Sequence, residues 1–152
     1  MSRPNAAAAI LLGGLIASSV DVCAAMLITG KDAAYILHTI AGGLLAKSAF
    51  DGGTGTMVLG LVLQWAMGLI IAAVFVLASR RLPVLARRWL LAGLAYGAVV
   101  FVVMNYVVVP LSAWRRIPHF TPQSFAENFA AMLLFGLIVA FFARTPRAGR
   151  PM

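Results

Sequence analysis

Four long apolar runs dominate this chain, and its polar residues collect between them rather than alternating within them. The runs extend from about Ala6 to Thr29, Gly55 to Ser79, Trp89 to Trp114 and Gln123 to Ala143. Each is long enough for a tilted helix to cross a hydrocarbon core about 30 Å thick, which takes about 20 residues. Lipid offers no partner for backbone N–H and C=O groups, so each run must be helical. The strands of a β-barrel would alternate polar and apolar positions, and these runs do not.

A shorter, less apolar stretch from Asp32 to Phe50 lies between the first two runs. Asp32 has the chemistry of an N-cap, and Gly52 and Gly53 are placed to end the helix. Its length fits an interfacial or re-entrant helix better than a fifth crossing. Pro83, Pro118 and Pro122 mark the breaks between later helices. The pattern therefore predicts an all-α polytopic bundle. One transmembrane domain covers 1–144, and a polar, flexible cytoplasmic tail covers 145–152.

Composition agrees with this reading. The 152 residues are 62% hydrophobic and 11% charged, whereas a soluble domain carries about 25% charged residues. A soluble globular domain and a disordered chain are both excluded on that ground. The N-terminal run follows a single Arg3 and has Asp21 beside its one imaginable cleavage site, so it reads as a retained helix. The single cysteine, Cys23, cannot form an internal disulfide.

The formal net charge is +8. In a soluble protein this would suggest nucleic acid; here the arginines sit between apolar runs, which points to anionic lipid and to the positive-inside rule. With four spans and the N-terminus inside, one side holds Arg3, Arg80, Arg81, Arg87, Arg88, Arg144, Arg147 and Arg150. The other holds Lys31, Lys47, Arg115 and Arg116. A five-span arrangement exchanges Arg3 for Lys31 and keeps the same balance. Both place the Arg80–Arg88 loop and the C-terminus in the cytoplasm. Trp89 and Trp114 fall at opposite ends of the third run, as interface anchors do.

Polar side chains inside the runs call for an explanation, because an ionisable group there costs about 2.5–3.5 kcal/mol on insertion scales. They are Asp21, Gln64, Asn105, Glu127 and Asn128. In the four-span arrangement all five lie in the periplasmic half. One expectation is a polar site at that level, binding or passing a small solute or a proton. The alternative is interhelical hydrogen bonding, with Glu127 at the first turn of its helix, where negative charge is favoured. Helix rotation is not readable from the pattern, so convergence of the five stays open.

Small residues make a second pattern. Gly14 and Ser18 share a helical face with Asp21, and Gly93 and Gly97 form a G-x-x-x-G pair. Such faces let helices approach closely, within one bundle or between copies of a chain. Pro110 can kink the third run near Asn105. Little else suggests chemistry. Gly52 to Thr56 lacks the lysine of a phosphate loop and reads as a flexible lead into the second run. His38 and His119 make neither a haem nor a zinc site. No enzyme and no cofactor are expected.

The wording Tyr96-Gly97, Met104-Asn105 and Val109-Pro110-Leu111-Ser112 resembles a family of small bacterial inner-membrane proteins. The likeness extends from about Gly13 to Arg144 and includes the Ile40–Phe50 helix. It implies a bacterial inner membrane and a compact bundle, and it brings no activity. Relatives in that family often carry a His at the position of Gln64, which puts a metal or proton-relay role there in doubt. Two functional expectations follow. The first is a non-enzymatic protein with an intramembrane polar site, as a homo-oligomer. The second is an accessory subunit packed on a larger membrane complex.

Overall fold

The computed structural model describes residues 5–144. Six helices follow one another: α1 (Ala6–Thr29), α2 (Ala33–Leu45), α3 (Gly53–Arg81), the short α4 (Pro83–Arg87), α5 (Trp89–Leu111) and α6 (Pro122–Ala143). No strand occurs among the described residues. α1, α3, α5 and α6 are long and apolar enough to cross a membrane, with 24, 29, 23 and 22 residues. At 1.5 Å per residue even α6 reaches about 33 Å. α2 has 13 residues, about 20 Å, and falls short of the core thickness.

The helix ends follow from local chemistry. Asn5 accepts from the Ala7 N–H at 3.1 Å and caps α1. Asp32 accepts from the Tyr35 N–H at 2.9 Å and caps α2. Thr121 and Ser124 form a reciprocal capping box at the start of α6, with Pro122 in the first turn. Several boundaries differ from the sequence pattern. α2 ends at Leu45, not at Gly52 and Gly53, because Ala46 turns to φ 53° and the chain tightens into a 3-10 segment over Ala46–Asp51. Gly53 to Thr56 are then the first turn of α3 rather than a flexible lead. α5 ends at Leu111, not at Trp114, because Ser112 is extended and the Ala113 N–H donates to the Gly43 carbonyl at 2.8 Å.

Small residues set the helix crossings. Gly14 lies against Gly68 and Leu69, and the buried Ser18 donates to the Gly14 carbonyl at 2.6 Å. A Cβ at Gly68 would run into the Ser18 side chain. Moving from Gly14 to Asp21 along α1 goes from Gly68 to Gln64 along α3, so the two helices are antiparallel. The segment joining them therefore starts and finishes at one end of the bundle, and α2 is not a crossing. Gly93 and Gly97 of α5 press on Gly136 and on the Met132–Leu133 backbone of α6. Gly13 brings α1 to Val139 and Phe142 on the other side of α6. These glycine faces are thus filled within the chain.

The buried core, with Ala17, Ala72, Phe75, Val76, Phe135, Val139 and Ala140, lies toward the arginine-rich end. There Tyr96 of α5 donates to the Ile71 carbonyl at 2.6 Å and its ring meets Phe75 at 5.0 Å, a side-chain bridge between α3 and α5. Toward the opposite, far end of the bundle, α3 and α5 face each other across a cleft. Exposed Leu12, Val62, Ile70, Val74, Val99 and Val102 cover the outside. An apolar coat over a core this small is the solution for lipid, not for water. The tail over 145–152, with Arg147 and Arg150, and Arg3 lie outside the described residues.

Candidate functional site

Of the five polar residues singled out in the spans, Asp21 and Gln64 meet. The Gln64 amide donates to Asp21 Oδ2 at 2.9 Å and to the Ser18 carbonyl at 3.2 Å. Both N–H groups therefore point at α1, and this network fixes which way the amide faces. Among the described residues its Oε1 has no hydrogen-bond partner, and it is not sealed in the interior. Gln64 forms part of the cleft wall; Asp21 stands behind it. Beside it, the indole N–H of the next residue, Trp65, reaches the Ser19 hydroxyl at 3.4 Å.

Asn105, Glu127 and Asn128 do not bond to them, so of the five polar groups whose convergence the pattern leaves open, two meet. Asn105 donates to the Phe101 carbonyl at 2.9 Å and Asn128 to the Ser124 carbonyl at 2.7 Å, each one turn back on its own helix. Glu127 accepts from Gln123 at 3.0 Å, again one turn away. A helical carbonyl four residues back is always within reach, so these side chains satisfy themselves without crossing to a neighbour. Asn105 also sits in a widened π turn over Met104–Val108, where the Val109 N–H donates to the Met104 carbonyl. Pro110 follows that turn. Its missing N–H leaves the carbonyl four residues back without the usual donor, and the helix adjusts by the wider turn.

The cleft has a volume of about 900 Å³, the upper range for small-molecule pockets. Leu63, Gln64 and Met67 of α3 face Met104, Val107 and Val108 of α5 across it. Thr39, Ile40, Gly43 and Leu44 of α2 cover one side. The connection between α5 and α6 supplies Ser112, Trp114, Arg116 and His119.

That connection is tied down at both ends. Trp114 lies on Gly42, where an added Cβ would strike its ring, and its indole N–H donates to the Thr39 carbonyl at 3.1 Å. Trp114 thus packs beneath α2 instead of serving as a bare interface anchor. Phe120 packs on the buried Phe101 at 5.8 Å, in a cluster with Phe125 and Phe129. The Arg116 guanidinium sits 5.1 Å from the Trp114 ring. No carboxylate lies among the lining residues. The sequence pattern did not bring Thr39, Met67, Met104, Trp114, Arg116 and His119 together as one cleft. The available signal was an interhelical connection that packs Trp, Arg, Pro, His and Phe into a few positions.

The other end of the bundle carries Arg80, Arg81, Arg87 and Arg88, all exposed. Arg144 lies over the rings of Phe141 and Trp89, at 3.9 and 5.7 Å. Trp89 there has the place of an interface anchor. No group of three His, Cys, Asp or Glu side chains suited to a metal occurs among the described residues. The chain matches no protein family, no curated protein and no solved structure.

Proposed function

We propose that this is a non-enzymatic protein of the bacterial inner membrane that holds a small, mostly apolar molecule in the cleft between α2, α3 and α5. The carrying observation is an apolar cleft of about 900 Å³ with one amide, Gln64, fixed in its wall by Asp21. Pockets of this kind bind by shape and use a few placed polar groups for orientation. The Tyr96–Ile71 bond and the Phe75 ring bridge α3 and α5 toward the arginine-rich end. A bridge across the path favours holding a molecule over passing a solute or a proton. The arginine-rich end faces the cytoplasm and its anionic lipids by the positive-inside rule, which puts the cleft toward the periplasm.

The reading as an accessory subunit, or as a homo-oligomer through its glycine faces, has less support. Gly14, Gly93 and Gly97 are already covered inside the chain. A partner, whether a second copy or a larger complex, would meet the Leu and Val coat instead.

The test is native mass spectrometry of the protein taken from its own membrane in mild detergent, followed by solvent extraction. The expected result is a small molecule retained near one per chain and lost in Gly43→Phe, whose ring would fill the open space beside Ser112. Wild-type protein and Gly43→Phe carrying the same extract would overturn the reading. A stoichiometric complex with other chains would favour the accessory subunit.

A further inference from the structure

We infer that the occupant of this cleft is a single-chain membrane lipid with an anionic head, held at Arg116 and His119. The inference rests on the cleft reading above and adds the charge and shape of the ligand. Its first ground is the distribution of charge. Arg116 and His119 line the cleft, and no carboxylate does. Neither side chain has a carboxylate partner among the described residues, and the guanidinium is steered by the Trp114 ring rather than by an ion pair. Arg116 therefore retains donors for an anion, and His119 offers a ring nitrogen.

The second ground is the solvent on the other side of the exchange. A tail leaving the bilayer for an apolar cleft gains little, since lipid chains are as apolar as leucine. Selection must come from the head. Arg116 and His119 belong to the connection after α5, at the far end of the bundle, where a headgroup resides. The third ground is shape. From Met104 to Leu111 the α5 wall extends about 10 Å and is lined by Met104, Val107, Val108 and Leu111. An apolar strip with a cationic end matches one chain and its head. A compact polar solute would leave that strip unpaired.

The experiment uses the full chain in nanodiscs of phosphatidylcholine. Trp65→Phe and Trp89→Phe leave Trp114 as the single tryptophan, and its ring forms part of the cleft wall. Emission is followed on adding decyl phosphate, decanol or decyltrimethylammonium. Decyl phosphate is expected to saturate at a concentration at least tenfold below decanol, with the cationic amphiphile weakest. Arg116→Gln with His119→Gln should bring decyl phosphate to the level of decanol.

Equal saturation by decyl phosphate and decanol, both abolished by Gly43→Phe, would overturn the anionic head and leave the cleft reading standing. No saturable signal from any of the three would sink both. An equal response to inorganic phosphate would assign a plain anion site and overturn the lipid. A phosphate preference that survives in the double variant would overturn the residues named. Native mass spectrometry of the unsubstituted chain with the same three amphiphiles reads the preference without any variant.

Discussion

Gln64 of α3 gives both of its amide N–H groups to α1, one to Asp21 Oδ2 at 2.9 Å and one to the Ser18 carbonyl at 3.2 Å. This turns its oxygen away from α1 and joins the two helices in the half of the bundle where the core is thinnest. Asp21 is then a positioning residue for Gln64. Asp21→Asn keeps an acceptor oxygen and should leave stability near that of the parent. Asp21→Ala removes it and leaves an N–H without a partner. A double-mutant cycle of Asp21→Ala and Gln64→Ala, read by denaturation in mixed detergent micelles, should give a coupling of about 0.6–1.7 kcal/mol. Strict additivity would mean that the pair does not form.

The glycines divide into those at a crossing and those in open space. A Cβ at Gly97 would enter the Met132 carbonyl and crowd the Leu133 Cα, both backbone atoms that cannot swing aside. Gly97→Ala should therefore cost about 1–3 kcal/mol, the range for overpacking. Gly55 meets nothing within 4 Å, so Gly55→Ala should be neutral or gain up to about 1 kcal/mol from helix propensity. Detergent unfolding followed by circular dichroism separates the two. A harmless Gly97→Leu would show that α5 and α6 do not cross there.

Trp114 and Gly42 form the seam that keeps α2 over the cleft. Trp114→Phe removes the N–H donated to Thr39 and should cost about 0.5–1.5 kcal/mol. Gly42→Ala should push the indole ring outward, because the added carbon would lie inside it. The expected signs are a red-shifted Trp114 emission in the Trp65→Phe, Trp89→Phe background and weaker ligand retention. Gly42→Ala combined with Trp114→Leu should be less damaging than the sum of the two. Unchanged emission in Gly42→Ala would show that the ring does not pack there.

What could be read from the sequence was what lipid demands of any chain. Twenty-residue apolar runs leave the backbone one solution, so the four spans stand within a few residues of the pattern. The cleft was not readable, for a physical reason. The spans are apolar on nearly every face, so no periodicity says which way Gln64, Asn105 or Glu127 turns. Gln64 crosses to Asp21, whereas Asn105 folds back to Phe101. That choice rests on the close approach of Gly14 and Ser18 to Gly68, a tertiary fact. The rim depends on bonds between segments far apart in the chain, Ala113 to Gly43 and Trp114 to Thr39. Arg116 therefore read only as a charge for topology.

Orientation gives a prediction in which the fold removes an ambiguity that charge counting leaves. Four spans and five distribute the basic residues alike, but they disagree about Lys31. With α1 and α3 antiparallel, Lys31 and Lys47 flank α2 at the same end, and Arg87 lies at the other. The check starts from a Cys23→Ser chain, since Cys23 is exposed on α1. Single cysteines are then placed at Lys31, Lys47 and Arg87, all exposed positions. A membrane-impermeant maleimide applied to intact cells should modify the first two and miss the third until the membrane is broken. Labelling at position 87 alone would invert the protein and put the cleft toward the cytoplasm. Labelling at position 47 without position 31 would make α2 a crossing, which its length of about 20 Å opposes.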